Sequence, residues 1–111
     1  KELWKDLEYS KKVMARREKS GPEIIFQKMI DEYSWSYHFV GNGTFKIGRM
    51  NPDFVNERER KVIEIYGDFF HKGQDPTIRI QEMKKYGYDC LVIWASELKN
   101  KQNIIDRIGG F

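Results

Sequence analysis

Hydrophobic residues in the first third of the chain recur at helical spacing. They predict a first helix over residues 2 to 19, which ends at the Ser-Gly-Pro sequence of residues 20 to 22. A second helix is expected to begin there, because Pro22 suits a first helical turn. The apolar stripe of this second helix is expected to face a sheet and comprises Ile25, Phe26, Met29, Ile30 and Tyr33.

The middle of the chain has the residues of strands and turns. Four strands are predicted, over residues 36 to 40, 44 to 48, 52 to 56 and 60 to 67. The Gly-Asn-Gly sequence at 41 to 43 indicates a turn between the first two strands.

The last third of the chain predicts a helix, a strand and a closing helix. The first of these runs over residues 76 to 86, begins after Asp75, ends before Gly87 and has Ile80 and Met83 on one face. The apolar run at 90 to 94 predicts an interior strand. A closing helix is indicated by the spacing of Ile104, Ile105 and Ile108. The order of elements predicts one α/β domain, a mixed central sheet flanked by helices.

Length and composition agree with a single domain. The chain has 111 residues, of which 40% are hydrophobic, enough for one modest core. No apolar run approaches the roughly 20 residues of a membrane span, and the first residues lack the apolar centre of a signal peptide. Because the sequence begins with Lys rather than Met, we expect that it was cut from a longer protein with a partner domain upstream.

Charge and cysteine content bear on the partners and the compartment. The lone Cys90 is most simply a small buried side chain, so a reducing compartment is the default and cysteine zinc sites are excluded. Net charge is +3, and two basic clusters suit a polyanion such as nucleic acid. Because acidic residues interleave with both clusters, solvated faces are the alternative. The clusters are Lys11, Lys12, Arg16, Arg17 and Lys19, and Arg58, Arg60 and Lys61.

The hairpin over residues 52 to 67 contains an unexpected carboxylate. Alternation along the fourth strand places Glu64 on one face with Val62 and Tyr66. With a turn near residues 58 and 59, Asp53 falls opposite or next to Glu64, at roughly 5 Å between β-carbons, where like charges repel. A divalent metal with oxygen ligands would offset that repulsion. Alternatively, Glu64 faces solvent and pairs with a nearby lysine or arginine.

Further titratable residues surround this hairpin. His71 follows the strand end, where active-site groups of open sheets gather, and beside carboxylates it is a candidate general base or acid. Asp75 has a structural explanation as a helix cap, and a capped carboxylate could also orient a histidine or a water. Glu23, directly after Pro22, is explained by the helix dipole alone.

These residues carry a family resemblance. The sequences are GPE at 21 to 23, PDF at 52 to 54, VIEIYGDFFH at 62 to 71, Asp75, and YGYDCLVIW at 86 to 94. With this ordered set the chain resembles the very-short-patch-repair (Vsr-like) branch of the PD-(D/E)xK endonuclease superfamily, and most closely the phage homing endonucleases with the signature EDxHD. The resemblance implies a restriction-endonuclease-like core and a single nuclease catalytic domain over residues 1 to 111.

The resemblance also implies roles for individual residues. Glu23, Asp53, His71 and Asp75 match the E, D, H and D of the signature, with Asp53 as the metal-binding carboxylate and His71 as the base for water. The backbone carbonyl of Ile65 matches a metal-holding position, and Glu64 is a further candidate ligand.

Aromatic and basic residues around the hairpin would contact DNA. Phe69 and Phe70 match aromatic residues that the repair enzymes wedge between base pairs, with core packing as the alternative. Lys72 and the basic turn of Arg58, Arg60 and Lys61 would contact the DNA backbone.

Two positions depart from the family pattern. Tyr66 occupies the place of the superfamily lysine, so that charge neutralisation must come from a metal, His71 or a basic side chain such as Lys72. Asp68 stands where the repair enzymes have a cysteine, so no structural zinc is expected.

The sequence therefore predicts a Mg²⁺-dependent endonuclease of double-stranded DNA, with Mn²⁺ as a substitute. The resemblance places it in a phage-encoded homing enzyme in the cytoplasm of a bacterial host, with no membrane partner. Sequence choice would reside mostly in an upstream DNA-binding domain, and a homo-oligomer of the full-length protein stays open. The alternatives are a restriction or repair nuclease of the same fold and an inactive DNA-binding module.

Overall fold

The structure is a computed structural model that describes residues 19 to 67 and 75 to 111. The α-helices in these ranges are α1 (Gly21–Tyr33), α2 (Pro76–Lys85) and α3 (Lys101–Gly110). The strands are β1 (His38–Phe39), β2 (Phe54–Asn56), β3 (Lys61–Tyr66) and β4 (Asp89–Trp94), and a 3-10 helix (Ala95–Lys99) follows β4. No helix in this part of the chain has the length and apolar character to cross a membrane. Residues 2 to 18 of the predicted first helix lie outside the described ranges.

The four strands form one mixed sheet in the order β1-β2-β3-β4. β1, β2 and β3 are antiparallel neighbours, and β4 runs parallel to β3. The turn between β2 and β3 covers residues 57 to 60 and is centred where the sequence predicted it. The Asn56 side chain stabilises this turn by accepting the Glu59 N–H at 3.1 Å.

Alternation along β3 builds a separate core on each face of the sheet. Ile63 and Ile65 pack with α1, the 3-10 helix and α3, while Val62 and Tyr66 pack with α2 and the loop before β2. β3 is thus covered on both faces, as the predicted division of its side chains requires. The helices lie on both sides of the sheet, and the carboxyl end of β3 lies between them.

Helix α1 begins with a capping box. The Ser20 hydroxyl accepts the Glu23 N–H, and the Glu23 carboxylate accepts the Ser20 N–H at 2.9 Å. Phe26, Met29 and Ile30 form the buried stripe. The predicted stripe was too wide, because Ile25 is 47% exposed and the exposed Tyr33 stacks on Trp35 rather than entering the sheet core.

The predicted strand over residues 44 to 48 is wrong. This segment belongs to a loop whose strand-like pairing is one isolated bridge between Ile47 and Met50. The loop is held by Asn51, whose side-chain amide donates at 2.7 Å to the carbonyls of Val40 and Phe45. Local side-chain hydrogen bonds therefore take the place of a sheet ladder in this segment.

The prediction of an interior strand at 90 to 94 also needs correction. β4 is the last strand in the order of the described sheet, not a central one. Its apolar run has another cause, because both faces of β4 are covered. Cys90 and Val92 pack in the core that contains α2, and Ile93 packs in the core that contains α3.

Candidate active site

A group of carboxylates lies at the carboxyl end of β3. Asp53 immediately precedes β2, and the register of β2 and β3 continues one residue to place it opposite Glu64. Both side chains are buried. The structure therefore confirms that the two acidic residues are cross-strand neighbours, and it places them directly opposite each other.

The main chain fixes Asp53 in position. Asp53 Oδ2 accepts the Ile65 N–H at 2.7 Å, and the Asp53 carbonyl accepts the Val40 N–H at 2.8 Å. Gly41 lies on the other side, where a β-carbon would be 3.4 Å from Asp53 Oδ1 and 2.7 Å from the Phe39 ring. A glycine at 41 thus leaves room beside the carboxylate, in addition to its expected role in a turn.

Burial and neighbouring carboxylates oppose the ionisation of Asp53. Desolvation and the charge of Glu64 raise the pKa of Asp53 to about 8, and the charge and hydrogen bond of Glu23 act in the same direction. The Ile65 amide lowers this pKa but does not outweigh those causes. Burial and the neighbouring carboxylates thus favour the neutral acid, whereas a bound cation would favour the anion.

Glu23 reaches the same group from the N-terminus of α1. Its carboxylate caps the helix and also interacts with the Asp53 carboxyl group. The helix dipole explains its place in the first turn. The structure adds a proximity to Asp53 that sequence position did not reveal.

Glu64 forms an ion pair with Arg79 of α2. Arg79 Nε donates to Glu64 Oε2 at 2.5 Å, and the Glu64 side chain is 5% exposed. The alternative interpretation of Glu64 was therefore right about an arginine partner and wrong about a solvent-facing position. Sequence analysis missed Arg79, whose only signal was a cation in the first turn of the helix that follows β3.

Asp75 is the N-cap of α2, as predicted. Its Oδ1 accepts the Thr77 N–H at 2.9 Å, and the residue is exposed. Because Arg79 lies one helical turn further along α2 and binds Glu64, this helix begins beside the carboxyl end of β3.

Other predicted site residues fall outside the described ranges. These are Phe69, Phe70, His71 and Lys72.

The basic turn lies at the opposite end of the hairpin from Asp53. Residues 57 to 60 are separated from Asp53 by the length of β2, roughly 15 Å at 3.3 Å per residue. Lys61 donates at 2.7 Å to the main-chain oxygen of Phe111, and Arg60 lies 5.8 Å from the centre of the Tyr88 ring. The structure does not bring the basic turn into the carboxylate group.

Two further titratable side chains, Tyr66 and Cys90, are buried in the core on the α2 face of the sheet and are influenced by Glu64. Tyr66 packs edge-on against Trp94, and burial and Glu64 raise the pKa of its hydroxyl. Burial, followed by Glu64, raises the pKa of Cys90 to about 12. A thiol with that pKa is not a nucleophile at neutral pH, which agrees with the predicted buried Cys90.

The described side chains do not form a metal site by themselves. Among residues 19 to 67 and 75 to 111, no three His, Cys, Asp or Glu side chains are grouped to hold a metal ion. Continuing the hairpin register places Pro52 opposite Ile65. Because proline lacks an N–H, Pro52 cannot donate to the Ile65 carbonyl, which faces the same side of β3 as the amide bound by Asp53.

Comparison with known proteins identifies a structural relative. No protein-family model and no curated protein matches the chain. The catalytic domain of the homing endonuclease I-Bth0305I matches in structure, with a TM-score of 0.63 and 20% sequence identity. The match covers 82% of this chain and 92% of that domain. At this identity the likeness establishes a shared fold, and it confirms the predicted mixed α/β architecture.

Proposed function

We propose that the chain is the catalytic domain of a metal-dependent endonuclease that hydrolyses phosphodiester bonds in double-stranded DNA. The observation that carries this proposal is the buried Asp53 carboxyl group opposite Glu64, at the strand end of a fold shared with a homing endonuclease catalytic domain. Two buried carboxyl groups opposite each other at a strand end serve no packing purpose, and such perturbed groups concentrate at functional sites.

The donor set suits Mg²⁺, with Mn²⁺ as a substitute. Asp53 would be the carboxylate ligand and the Ile65 carbonyl a second oxygen, and Mg²⁺ commonly takes one or two carboxylates together with water and substrate phosphate. The raised pKa of Asp53 fits this assignment, since a cation would offset its burial and the charge of Glu64. When bound, the metal would polarise the scissile phosphate.

The side chains around Asp53 would complete the chemistry. His71 would accept the proton of the attacking water, and Asp75 would orient it from the start of α2. Glu23 would hold a proton or a water beside Asp53, with which it interacts. Phe69, Phe70 and Lys72 would contact DNA near the site, and Arg58 at the far end of the hairpin would contact the backbone.

The biological setting follows from the family resemblance. The EDxHD residues and the likeness to a homing endonuclease catalytic domain favour a Vsr-like homing enzyme in the cytoplasm of a bacterial host over a restriction or repair nuclease. An upstream domain would select the target sequence.

A catalytically inactive DNA-binding module is the second candidate. The observation that favours it is that several carboxylates have structural partners. Glu23 caps α1, Asp75 caps α2, and Glu64 pairs with Arg79. This candidate predicts DNA binding that is unaffected by chelators.

Nicking of supercoiled plasmid by the 111-residue chain tests the proposal. Cutting with Mg²⁺ or Mn²⁺ but not with EDTA is expected, and Asp53→Asn should reduce it to background because the metal ligand is lost. Replacing the general base in His71→Ala should slow cutting by roughly a hundredfold to ten-thousandfold.

The matched control is Asp89→Asn. Asp89 is an exposed carboxylate at the opposite end of β4, where it pairs with Lys84. This variant should cut like the wild type. DNA binding without cutting in any metal would contradict the proposal and support the inactive module.

A further inference from the structure

Within residues 19 to 67 and 75 to 111, Arg79 is a basic side chain that contacts the carboxylate group through Glu64. It lies in the first turn of α2, and its Nε binds the buried Glu64 carboxylate at 2.5 Å. The Arg79 side chain is 30% exposed, whereas that of Glu64 is 5% exposed. The arginine therefore extends from a buried carboxylate to the surface of the site.

The contact to Glu64 uses one edge of the guanidinium group. An arginine has five N–H donors in a planar fork. The contact to Glu64 uses the Nε donor, so the donors of the two terminal nitrogens can bind another group. Held in this way at Nε, the fork has a fixed orientation and loses little freedom when it binds an anion. Terminal guanidinium nitrogens match the oxygens of a phosphate in a bidentate arrangement.

A cation is needed at this edge of the sheet. Glu23, Asp53 and Glu64 are grouped at this edge, so a DNA backbone that approaches it meets carboxyl groups and needs a cation as its partner. The predicted basic turn is at the other end of the hairpin, roughly 15 Å away. Arg79 is attached to this group of carboxylates and reaches solvent beside it.

We infer that Arg79 binds a backbone phosphate of the DNA next to the cleavage site, and that Glu64 is the anchor of Arg79 rather than a metal ligand. The inference rests on the proposed function for its substrate, DNA. It assigns to Glu64 and Arg79 a joint role in which the carboxylate orients the guanidinium and the guanidinium holds the phosphate.

A purely structural ion pair is the alternative, and a double substitution separates the two. Arg79→Gln alone would leave the Glu64 charge buried without this partner and could unfold the protein. Combining Glu64→Gln with Arg79→Gln removes both charges, keeps net charge constant and leaves side chains that can hydrogen-bond. If the ion pair is purely structural, the folded double variant should bind DNA like the wild type. If Arg79 binds a phosphate, DNA binding should weaken because the cation is lost.

A second arginine–glutamate ion pair supplies the matched control. Arg107 of α3 binds Glu97 of the 3-10 helix at 2.7 Å. The two arginine side chains are similarly exposed, at 32% for Arg107 and 30% for Arg79, while Glu97 is 24% exposed. Glu97→Gln combined with Arg107→Gln is equally neutral in net charge. It removes an Arg–Glu pair between elements that pack on the other face of the sheet from α2.

The experiment is fluorescence anisotropy of a labelled DNA duplex, titrated with each protein in EDTA over a range of salt concentrations. For the Glu64→Gln/Arg79→Gln variant we expect roughly tenfold weaker binding at low salt, as for loss of one charged hydrogen-bonded contact. The slope of log affinity against log salt should fall by about one, which corresponds to one phosphate contact. The control double variant should keep the wild-type slope.

The outcomes distinguish this inference from the proposed function. A wild-type slope in the folded Glu64→Gln/Arg79→Gln variant would overturn the inference, whether or not the wild type cuts DNA. Failure of the wild type to cut with Mg²⁺ or Mn²⁺ would overturn the nuclease proposal. A smaller salt-dependence slope in the double variant would still support phosphate binding by Arg79. No binding of DNA by the wild type at low salt would overturn both.

Should circular dichroism show that the double variant is unfolded, Arg79→Lys provides the test. Lysine keeps the ion pair to Glu64, but its single ammonium lacks the fork that would reach a phosphate at the same time. We expect this variant to fold and to bind DNA more weakly than the wild type. Wild-type affinity in Arg79→Lys would overturn the inference.

Discussion

At Asp53, opposing influences act on one carboxyl group. Burial and the charges of Glu64 and Glu23 favour the neutral acid, while the Ile65 N–H favours the anion. The first set prevails and raises the pKa to about 8. The side chain is therefore held in a fixed position in which its charged form is disfavoured, and cation binding would stabilise that form.

The raised pKa predicts how stability depends on pH without metal. Between the usual pKa of 3.8 and the folded-state value of about 8, the folded protein holds a proton that the unfolded chain has lost. The free energy of unfolding therefore falls as pH rises through this range. Asp53→Asn removes that dependence. As pH rises through this range, the free energy of unfolding of Asp53→Asn should therefore increase relative to that of the wild type by at least about 1.4 kcal/mol, the equivalent of one pKa unit.

Urea denaturation in EDTA at several pH values measures this difference. Asparagine keeps the acceptor for the Ile65 N–H, so that the comparison isolates the charge. A difference between Asp53→Asn and the wild type that is constant with pH would contradict the raised pKa.

At the scale of elements, α1 and α2 both begin on a side-chain cap beside the carboxylate group. Ser20 caps α1 and Asp75 caps α2. The two helices pack on opposite faces of the sheet, so their first turns bring Glu23 and Arg79 to the strand end from the two sides. Capping thus fixes the positions of the site residues as well as the helix ends.

Substitutions of Asp75 separate its capping role from its proposed catalytic role. Asparagine is as good an N-cap as aspartate, so Asp75→Asn should retain stability, while Asp75→Ala should lose about 1 kcal/mol. Both should lose DNA cleavage if the charge orients His71. The measurements are thermal melts and plasmid nicking on the same preparations. Full activity in Asp75→Asn would restrict the residue to capping.

At the scale of the whole molecule, metal binding and folding are coupled through the sheet. Asp53 and Ile65 belong to adjacent parts of one hairpin, so the proposed ligands come together only in the folded chain. A ligand that binds only the folded state stabilises it by mass action.

Added Mg²⁺ should therefore raise the melting temperature. At ten times its dissociation constant the stabilisation is about 1.4 kcal/mol, which corresponds to roughly 5 °C or more for a domain of this size. Asp53→Asn should show no such shift, and Ca²⁺ can be used to separate binding from cleavage. An equal shift in the wild type and Asp53→Asn would place the metal elsewhere.

Elements with strong local signals were predictable from the sequence. The Ser20 and Pro22 start of α1, the Asp75 cap of α2 and the turn of the hairpin each depend on residues near in sequence. The predicted strand at 44 to 48 was wrong because side-chain hydrogen bonds from Asn51 hold that segment as a loop. The predicted interior position of β4 was wrong because a strand covered by helices on both faces has the same apolar run as a strand between two others.

The sequence by itself determined the mixed α/β architecture and the proximity of Asp53 and Glu64 across the hairpin. Both follow from short-range periodicity and from a single turn, which fix the register of a hairpin. Only the tertiary structure decided that Glu23 reaches Asp53, that Arg79 binds Glu64, and that the basic turn lies away from both. These contacts depend on how helices pack across a sheet, and packing between distant segments leaves no fixed spacing in the sequence.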